Sequence, residues 1–322
     1  MAKKIRFGVL GAAKIATVRV IPGMQTCELA EVTAIASRDI AKAKDAAAQL
    51  GIAKAYGSYE ELLADPEIDA IYNPLPNHLH VPWSIRAMEA GKHVLCEKPI
   101  GMNREEALRM IAARDRTGVK AAEAFMVKVH PQWIRTAEIV QSGEIGDLLT
   151  MHCAFGYFNR DSANIRNRPE YGGGALMDIG CYPIFFARWI FGTEPVRVSA
   201  RLDRDPDFGT DRSTSALLDF PNGQALFTTS TQMNPYQRAQ FFGTKGHVEV
   251  EIPVNAPPDR ETRIFVRVGT EDRTETFPIC NQYGLQGDAF ARAILENGAV
   301  PVGLEDAAGN MTVIDALLAS VK

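Results

Sequence analysis

Lys98 lies just after an apolar run and is followed by a proline, and this position suits a residue that takes part in catalysis or binding. The run His93–Cys96 predicts a strand, and it leads directly into the tripeptide Glu97-Lys98-Pro99. Open parallel sheets present groups to ligands at their strand ends, and Pro99 stops the strand from continuing. An ammonium group held there could bind a substrate hydroxyl. The alternative is a surface lysine that simply closes a strand.

Asp178 and Tyr182 are two further groups that could take part in catalysis. They lie four positions apart in an apolar segment that begins with three glycines. In a helix this spacing places both side chains on one face. The pKa of a tyrosine is near ~10, and a nearby ammonium lowers it by favouring the phenolate. Lys98 and Tyr182 would then be an acid–base pair for hydride transfer at a carbinol, with Asp178 binding the substrate hydroxyl or orienting Lys98. The alternative is a core tyrosine capped by the aspartate.

A glycine turn follows the first predicted strand and is the first of the elements that must position the reactive side chains and a cofactor. Apolar Ile5–Leu10 leads into Gly-Ala-Ala-Lys-Ile-Ala, a degraded form of the dinucleotide-binding pattern G-x-G-x-x-G/A. The first glycine permits a tight turn, and Ala16 permits close helix–strand packing. The helix N-terminus supplies amide groups for a pyrophosphate. We expect cofactor contacts from Gly11, Ala12, Ala13, Lys14 and Ile15.

The end of the second predicted strand, Glu31–Ser37, indicates which dinucleotide binds. NAD sites usually carry an acidic residue there for the ribose 2′-hydroxyl, whereas this chain has Ser37 and Arg38, with Lys42 one turn later. A hydroxyl and two cations suit a 2′-phosphate, so NADP is favoured over NAD. The alternative is that Arg38 and Lys42 are solvated charges at the start of a helix.

The fourth predicted strand, Ala70–Asn73, leads into a segment with two prolines and two histidines. We expect a rigid loop at the carboxyl edge of the sheet, where a nicotinamide would lie. A zinc site at His78 and His80 is disfavoured, because this spacing in an extended loop points the rings apart and no other metal motif supports it. No metal site is predicted. Expected cofactor contacts around this edge are Pro74, Asn77, His80, Glu97 and Lys98.

The order of the predicted elements indicates two domains. Strands and helices alternate over about the first 120 residues, which predicts an α/β Rossmann domain with a doubly wound parallel sheet. The remainder is mostly a run of strands and predicts an α+β domain with a large, mostly antiparallel sheet. We place the dinucleotide-binding domain at residues 1–123 and a substrate and dimerisation domain at residues 124–302. The C-terminal helix, about 303–322, is expected to pack back on the first domain.

The bulk composition argues against several classes of function. The chain has 322 residues, a net charge of −4 and no cluster of basic residues, so no nucleic-acid partner is expected. No apolar run reaches the roughly 18 residues of a membrane span, and no signal peptide is evident. Five scattered cysteines predict reduced thiols. We therefore expect a cytoplasmic protein that acts on a small molecule.

Four motifs together resemble the Gfo/Idh/MocA oxidoreductases, the family of glucose–fructose oxidoreductase and inositol dehydrogenase. They occur in family order and the resemblance covers essentially the whole chain. Residues 164–169 resemble the branch with NADP-dependent aldose 1-dehydrogenases and dimeric dihydrodiol dehydrogenases. The four motifs are the glycine turn 11–16, Glu97-Lys98-Pro99, the pair Glu123-Ala124-Phe125-Met126 and His130-Pro131, and the segment 172–182.

The resemblance implies a Rossmann domain joined to an open-faced sheet whose exposed side forms a homodimer or a higher homo-oligomer. It gives Lys98 and Tyr182 the catalytic roles, places Asp178 in the substrate site and makes Pro99 cis. Members similar to inositol dehydrogenase have histidine in place of Tyr182, which argues against an inositol substrate. Candidate walls of the substrate site are Phe125, Phe155, Tyr157, Asn159, Arg166 and Tyr283.

The implied function is NADP(H)-dependent hydride transfer at a CH–OH or C=O group of a sugar, such as a pentose or hexose, or of a dihydrodiol. Two alternatives remain: a sugar ketoreductase of the same family, and a non-catalytic NADP-sensing sugar regulator. The joint presence of Lys98, Asp178 and Tyr182 argues against the regulator, which has no need to keep all three.

Cofactor preference provides the first test. Arg38→Asp should reverse the preference from NADP to NAD, because a carboxylate repels a 2′-phosphate and accepts a hydrogen bond from a ribose hydroxyl. We expect kcat/KM with NADP to fall by about tenfold or more and kcat/KM with NAD to rise. Steady-state kinetics with both cofactors measure the change. Equal use of the two cofactors by the unchanged protein would contradict the 2′-phosphate interpretation.

Overall fold

Two β-sheets, one wholly parallel and one mostly antiparallel, organise the two compact units of the chain. The computed structural model describes residues 4–321. The first unit comprises residues 4–129 and Asn281–Ala308, and the second comprises His130–Cys280 and residues 309–321. The strands are β1 Ile5–Leu10, β2 Ala30–Ala36, β3 Lys54–Tyr56, β4 Ala70–Asn73, β5 His93–Cys96, β6 Ala121–Glu123, β7 Leu148–Phe158, β8 Arg197–Arg204, β9 Asp211–Phe220, β10 Gly223–Ser230, β11 Gln232–Gly243, β12 Gly246–Val250, β13 Thr262–Val268 and β14 Glu271–Phe277.

Helices connect the strands of the first sheet, and further helices follow the last strand of the second sheet. Two π-helical turns, Ala16–Val20 and Leu176–Gly180, run directly into the helices that follow them. Short 3-10 turns occur at Met126–Val129, Ile165–Asn167 and Pro169–Tyr171. The α-helices are α1 Ile21–Met24, α2 Ile40–Leu50, α3 Tyr59–Ala64, α4 Asn77–Glu89, α5 Arg104–Thr117, α6 Pro131–Gln141, α7 Cys181–Phe191, α8 Gln282–Leu295 and α9 Leu304–Ser320.

The sheet of the first unit has six parallel strands in the order β3-β2-β1-β4-β5-β6. The order reverses between β1 and β4, and open α/β sheets bind their ligands at the carboxyl end of such a switch point. β1 is almost continuously buried, as expected for a parallel strand covered on both faces. The predicted doubly wound parallel sheet is confirmed.

Local sequence signals set the limits of the helices in this unit. Asp39 accepts a hydrogen bond from Ala41 N at the start of α2, and Gly51 ends that helix with a φ of 66°. Asn103 caps α5 in the same way by accepting from Glu106 N at 2.9 Å. Such caps satisfy amide groups that have no acceptor within the helix.

Helix α8 belongs to the first unit, whereas the predicted boundaries put it in the second domain. Its Phe290 is fully buried, with its ring centroid 6.1 Å from that of Phe7 in β1. The first unit also continues to Val129 rather than ending at residue 123. Helix α9 begins in the first unit and its residues from Gly309 onward belong to the second. Apolar burial against β1 therefore outweighs sequence proximity to the antiparallel strands.

The sheet of the second unit has eight strands in the order β14-β13-β12-β11-β7-β10-β9-β8. β10 lies parallel to β7 and the other neighbours are antiparallel, which confirms the predicted mostly antiparallel sheet. A tight hairpin turn joins β9 and β10, since Phe220 pairs with Gly223 across Pro221-Asn222.

Helices α6 and α7 pack on one face of this sheet. Trp133 of α6 is fully buried, with its ring centroid 4.0 Å from that of Phe186, and its indole N–H donates to Pro253 O at 2.7 Å. The side chains of His152 and Leu226 alternate onto the opposite face and are exposed. In the single chain the sheet is therefore open on one side. Within residues 4–321, no helix combines the length and apolar character that crossing a membrane requires.

Candidate functional site

The glycine turn follows β1 and is hydrogen-bonded to the carboxyl end of β2. Gly11 has a φ of 87°, a conformation that side chains disfavour, and its N–H donates to Ala36 O at 2.7 Å. A Cβ added to Gly11 would lie 3.1 Å from Leu75 Cδ2 and 3.5 Å from the Tyr59 hydroxyl. The turn therefore leaves a close backbone cradle at the switch point of the sheet.

The helix after this turn begins with its main-chain amide groups near the cradle. Its first hydrogen bond joins Thr17 N to Ala13 O at 3.0 Å, so the amides before Thr17 lie in the first turn and have no intrahelical acceptor. Ala16 is fully buried, as close helix–strand packing requires, while Lys14 is exposed and Ile15 half-buried. A glycine cradle followed by a helix N-terminus fits the pyrophosphate of a dinucleotide.

The cations expected to bind a 2′-phosphate lie on the surface at the end of β2. The Ser37 hydroxyl accepts a hydrogen bond from Asp39 N at 3.3 Å and can still donate its own proton. Arg38 and Lys42 are exposed. Burial raises the pKa of Tyr59, a residue that the sequence did not indicate, and the positive charge of Arg38 opposes this rise.

The predicted loop after β4 was partly wrong, because α4 begins at Asn77. His78 and His80 therefore lie in the first turns of a helix rather than in an extended loop. Pro76 precedes the first helical residue, where the fixed φ of proline costs no hydrogen bond, so it starts the helix instead of prolonging the loop. Among residues 4–321 no group of three or more histidine, cysteine or acidic side chains could hold a metal ion.

His80 links the loop after β4 to the loop after β5. Its side chain is buried, with Nε2 2.6 Å from Leu75 O and Nδ1 2.8 Å from Pro99 O. Burial lowers the pKa of His80 to about 4, so the ring is neutral near pH 7. A neutral imidazole carries one N–H, so His80 donates to one of these two carbonyl oxygens, and its ring lies between the two loops at this edge of the sheet.

The main chain at Lys98 is held by its neighbour Glu97. The Tyr72 hydroxyl donates to Glu97 Oε1 at 2.7 Å, and Lys98 N donates to Glu97 Oε2 at 3.3 Å. Burial raises the pKa of Tyr72 well above its usual value, and the Glu97 charge raises it further, so the phenol remains a donor. Lys98 is half-buried, and the peptide bond to Pro99 is cis, as predicted.

The three consecutive glycines at residues 172–174 let the chain pass close to the segment at Arg166 and to β9 at Asp211. A Cβ on Gly173 would lie 2.5 Å from Arg166 O, and a Cβ on Gly174 would overlap the Asp211 carboxylate. Asp211 Oδ2 accepts hydrogen bonds from Leu176 N at 2.8 Å and from the Thr214 hydroxyl at 2.6 Å. Asp211 therefore anchors the start of the helical segment that carries Asp178 and Tyr182. No local signal in the sequence pointed to Asp211, because it lies on a separate strand.

Asp178 holds two polar side chains of the second unit. Its Oδ2 accepts hydrogen bonds from Arg166 Nε at 2.9 Å and from the Tyr157 hydroxyl at 2.6 Å. The Asp178 charge raises the pKa of Arg166, while burial raises the pKa of Tyr157 above its usual range. Tyr182 is buried, lies edge-on to Phe155 with ring centroids 6.1 Å apart, and interacts electrostatically with Arg166. The structure thus brings together both predicted reactive groups of this unit and three of the predicted wall residues.

The other three wall candidates have different surroundings. Asn159 Oδ1 accepts a hydrogen bond from Asp161 N at 2.9 Å and shapes the loop after β7. Phe125 and Tyr283 belong to the first unit, where Phe125 is fully buried core. Tyr283 is half-buried, and the nearby Glu97 charge together with burial raises its pKa to about 12.

Comparison with known proteins finds similarity along the whole chain. A family model described as an oxidoreductase family with an NAD-binding Rossmann fold matches residues 5–125, and a GFO/IDH/MocA C-terminal domain matches residues 133–249. An uncharacterized oxidoreductase of Rhizobium meliloti is 47% identical, covering 99% of this chain and 97% of the relative. A D-xylose 1-dehydrogenase (NADP(+)) of Haloferax volcanii is 39% identical, covering 98% and 97%.

Solved structures of similar fold include a 3-ketoreductase from Actinomadura kijaniata in complex with NADP and TDP-benzene. It is 31% identical, with a TM-score of 0.93, and the match covers 99% of this chain and 98% of the reductase.

The low pKa of His80 predicts a loss of stability in mild acid. The unfolded chain protonates this histidine below about pH 6.5, whereas the folded chain resists protonation until about pH 4. The free energy of unfolding should therefore fall by about 1.4 kcal/mol for each pH unit between these values on account of His80 alone. Urea unfolding at several pH values measures the slope, which should be shallower in His80→Asn.

Lys44→Ala provides the control for this measurement, since Lys44 is exposed on α2. Its pH slope should match that of the unchanged protein. A His80→Asn variant with the same slope as the unchanged protein would show that His80 does not contribute the acid sensitivity.

Proposed function

Since the chain is an oxidoreductase of the Gfo/Idh/MocA family, as its sequence predicted, we propose that it transfers a hydride between NADP and a CH–OH or C=O carbon of a sugar. The observation that carries this proposal is the full-length similarity to an NADP-dependent D-xylose dehydrogenase. The cations at the end of β2 support the choice of NADP, since Arg38 and Lys42 suit a 2′-phosphate. The five widely spaced cysteines support a cytoplasmic location.

The cofactor contacts divide among three parts of the first unit. The glycine turn, residues 11–15, holds the pyrophosphate, and Ser37, Arg38 and Lys42 hold the 2′-phosphate. When bound, the nicotinamide supplies the site that accepts or gives the hydride. The residues proposed around that half of the cofactor are Pro74, Asn77, Glu97 and Lys98, with His80 acting by fixing the loops.

Tyr182 and Lys98 carry the proton chemistry in this proposal. In oxidation, Tyr182 takes the hydroxyl proton of the substrate, and Lys98 binds the same hydroxyl and favours the phenolate. Solved variants of the Actinomadura reductase replace a tyrosine with phenylalanine and a lysine with alanine. In that reductase the two changed residues are separated by the same number of positions as Lys98 and Tyr182 here.

Asp178 serves the substrate site by holding its polar walls. Arg166 and Tyr157 both donate to its carboxylate, so Asp178 fixes where their remaining polar groups point. A carboxylate that is mostly buried needs such partners, because burial of an uncompensated charge is costly. We propose that these two residues and Phe155 select the substrate.

A reductase acting on a keto sugar is the second candidate. The 31% identity and the TM-score of 0.93 to the 3-ketoreductase favour it. The same proton exchange at the substrate oxygen serves both directions.

Turnover by variants of the two catalytic residues tests the proposal. With aldoses, keto sugars and a trans-dihydrodiol offered with NADP⁺ or NADPH, the unchanged protein should convert at least one sugar. Lys98→Ala and Tyr182→Phe should each lower kcat/KM by about 10²-fold or more. If Lys98 acts through Tyr182, the double variant should be no less active than the weaker single variant.

Lys44→Ala and Tyr236→Phe are the matched controls, since both residues are exposed and lie outside the proposed site. Circular dichroism checks that every variant is folded. Full turnover by folded Lys98→Ala and Tyr182→Phe would overturn the mechanism. Binding of NADP without conversion of any substrate would favour the sensing alternative.

We also propose that the open face of the eight-stranded sheet pairs with the same face of a second copy. Leu226 on this face is 38% exposed, and the Phe242 ring lies 5.2 Å from that of His152 and 5.6 Å from that of His247. An extended sheet face with central apolar and aromatic groups is the kind of surface that a two-fold dimer buries.

A charge placed on this face should separate the subunits. Leu226→Lys would bury an unpaired ammonium in the interface, so it should shift the chain toward the monomer mass in analytical ultracentrifugation. Leu318→Lys is the control, because Leu318 has the same 38% exposure but lies on α9. A monomeric unchanged protein, or an unaltered mass in Leu226→Lys, would contradict this assembly.

A further inference from the structure

Asn73 is the last residue of β4, which borders the switch point of the parallel sheet, and it is fully buried. Its Nδ2 donates hydrogen bonds to His80 O and to the Ser84 hydroxyl, both at 3.0 Å. Its Oδ1 accepts a hydrogen bond from Leu75 N at 3.3 Å. One amide group therefore joins the end of a strand, the loop after it and the helix α4 that follows.

The chain after Asn73 is poor in main-chain donors, so a side chain has to hold it. Pro74 and Pro76 have no N–H, and Leu75 N is therefore the first donor after the strand. An asparagine oxygen that accepts from the N–H two residues later is typical of tight turns. Pro82 lies inside α4 and removes one intrahelical hydrogen bond from its first turns. The side chain of Asn73 supplies an acceptor to the loop and a donor to the helix.

Asparagine suits these contacts because its short side chain combines two N–H donors with an oxygen acceptor. Aspartate would lack both donors, serine would have only one, and leucine, of similar size, would have no polar group. Replacing Asn73 would remove a donor from His80 O and an acceptor from Leu75 N. Buried polar groups that lose a partner are costly, so the loop and the helix start would move to find other partners.

The loop that Asn73 holds also meets the loop after β5. Asn73 O accepts a hydrogen bond from Glu97 N at 3.0 Å. The His80 ring lies between Leu75 O, at 2.6 Å, and Pro99 O, at 2.8 Å. The two loops proposed around the nicotinamide therefore meet at residues that the Asn73 amide holds in place.

We propose that Asn73 is a positioning residue for the nicotinamide half of the cofactor, acting by fixing the loop after β4 and the start of α4. This inference rests on the proposed function and adds which residue sets the segment that would carry Pro74 and Asn77. A loop that already has its bound conformation loses less entropy when a ligand binds, which raises the affinity. The adenosine half is proposed to bind at the ends of β1 and β2 and does not depend on Asn73.

Binding of two probes to the intact protein tests this proposal without any turnover. The probes are NADPH and adenosine 2′,5′-bisphosphate, which carries the adenosine end and lacks the nicotinamide half. In isothermal titration calorimetry, Asn73→Leu should weaken NADPH by about three- to tenfold and leave the bisphosphate unchanged. Circular dichroism checks that the variant is folded. Equal weakening of both probes, or no weakening of NADPH, would overturn the proposal.

Ser84→Ala is a milder variant of the same contact, because it removes one of the two acceptors of the Asn73 amide and leaves the other contacts intact. It should weaken NADPH by about two- to threefold and leave the bisphosphate unchanged. If Asn73→Leu does not fold, this variant decides the matter, and unchanged NADPH affinity in Ser84→Ala then contradicts the role of Asn73.

Lys92→Met is the matched control, because the Lys92 side chain also makes buried hydrogen bonds but lies at the opposite end of the sheet. Its Nζ donates to Asp65 O at 2.7 Å and to Ile68 O at 2.8 Å, just before β4 and β5 begin. This variant should bind both probes as the unchanged protein does. A loss of NADPH affinity as large as that in Asn73→Leu would assign the effect to general loosening of the sheet and would overturn the proposal.

The unchanged protein separates this inference from the proposed function. If it binds neither probe, the proposed function fails and the role of Asn73 fails with it. If it binds NADPH, and Asn73→Leu weakens both probes equally or neither of them, only the role of Asn73 fails. Selective loss of NADPH affinity in Asn73→Leu, with Lys92→Met unchanged, supports both.

Discussion

Both candidate sites depend on a position where the backbone conformation and the neighbouring atoms favour glycine. At Gly11 a positive φ turns the chain between β1 and β2, beside Leu75 and the Tyr59 hydroxyl. At Gly174 a positive φ brings the start of a helical segment against the Asp211 carboxylate. In each unit a glycine thus determines where a helix begins. Asp178 and Tyr182 lie on the second of these helical segments, and the first begins at the cradle proposed for the pyrophosphate.

The polar groups near these turns have partners that suit their burial. Asp178 is mostly buried, and the positive charge of Arg166 compensates for its lost hydration. Glu97 is intermediate in exposure and accepts a hydrogen bond from the neutral phenol of Tyr72. Orientation and charge compensation are therefore separate tasks in this protein, and different residues perform them.

Membership of the family determines the reaction class, whereas the side chains of the second unit are those that we propose to select the substrate. A common fold accommodates many substrates because the scaffold places the reacting groups and the walls vary around them. The wall residues proposed around Tyr182 are aromatic or cationic, and Asp178 accepts hydrogen bonds from two of them, Arg166 and Tyr157. A polyhydroxy compound matches such a surface, since its hydroxyls accept from a guanidinium and its C–H faces pack on an aromatic ring.

The sequence by itself determined the features that depend on neighbouring residues. These include the strand and glycine turn at Gly11, the tripeptide around Lys98 and the spacing of Asp178 and Tyr182, because periodicity and backbone conformation are local properties. It was misleading at Asn77, where a proline that suggested a loop instead starts a helix. Only the tertiary structure decided that Asp211 anchors the helical segment, that the Tyr59 hydroxyl lies beside Gly11 and that α8 packs in the first unit. Contacts between segments far apart in the chain depend on how the sheets and helices pack, and they leave no periodic signal in the sequence.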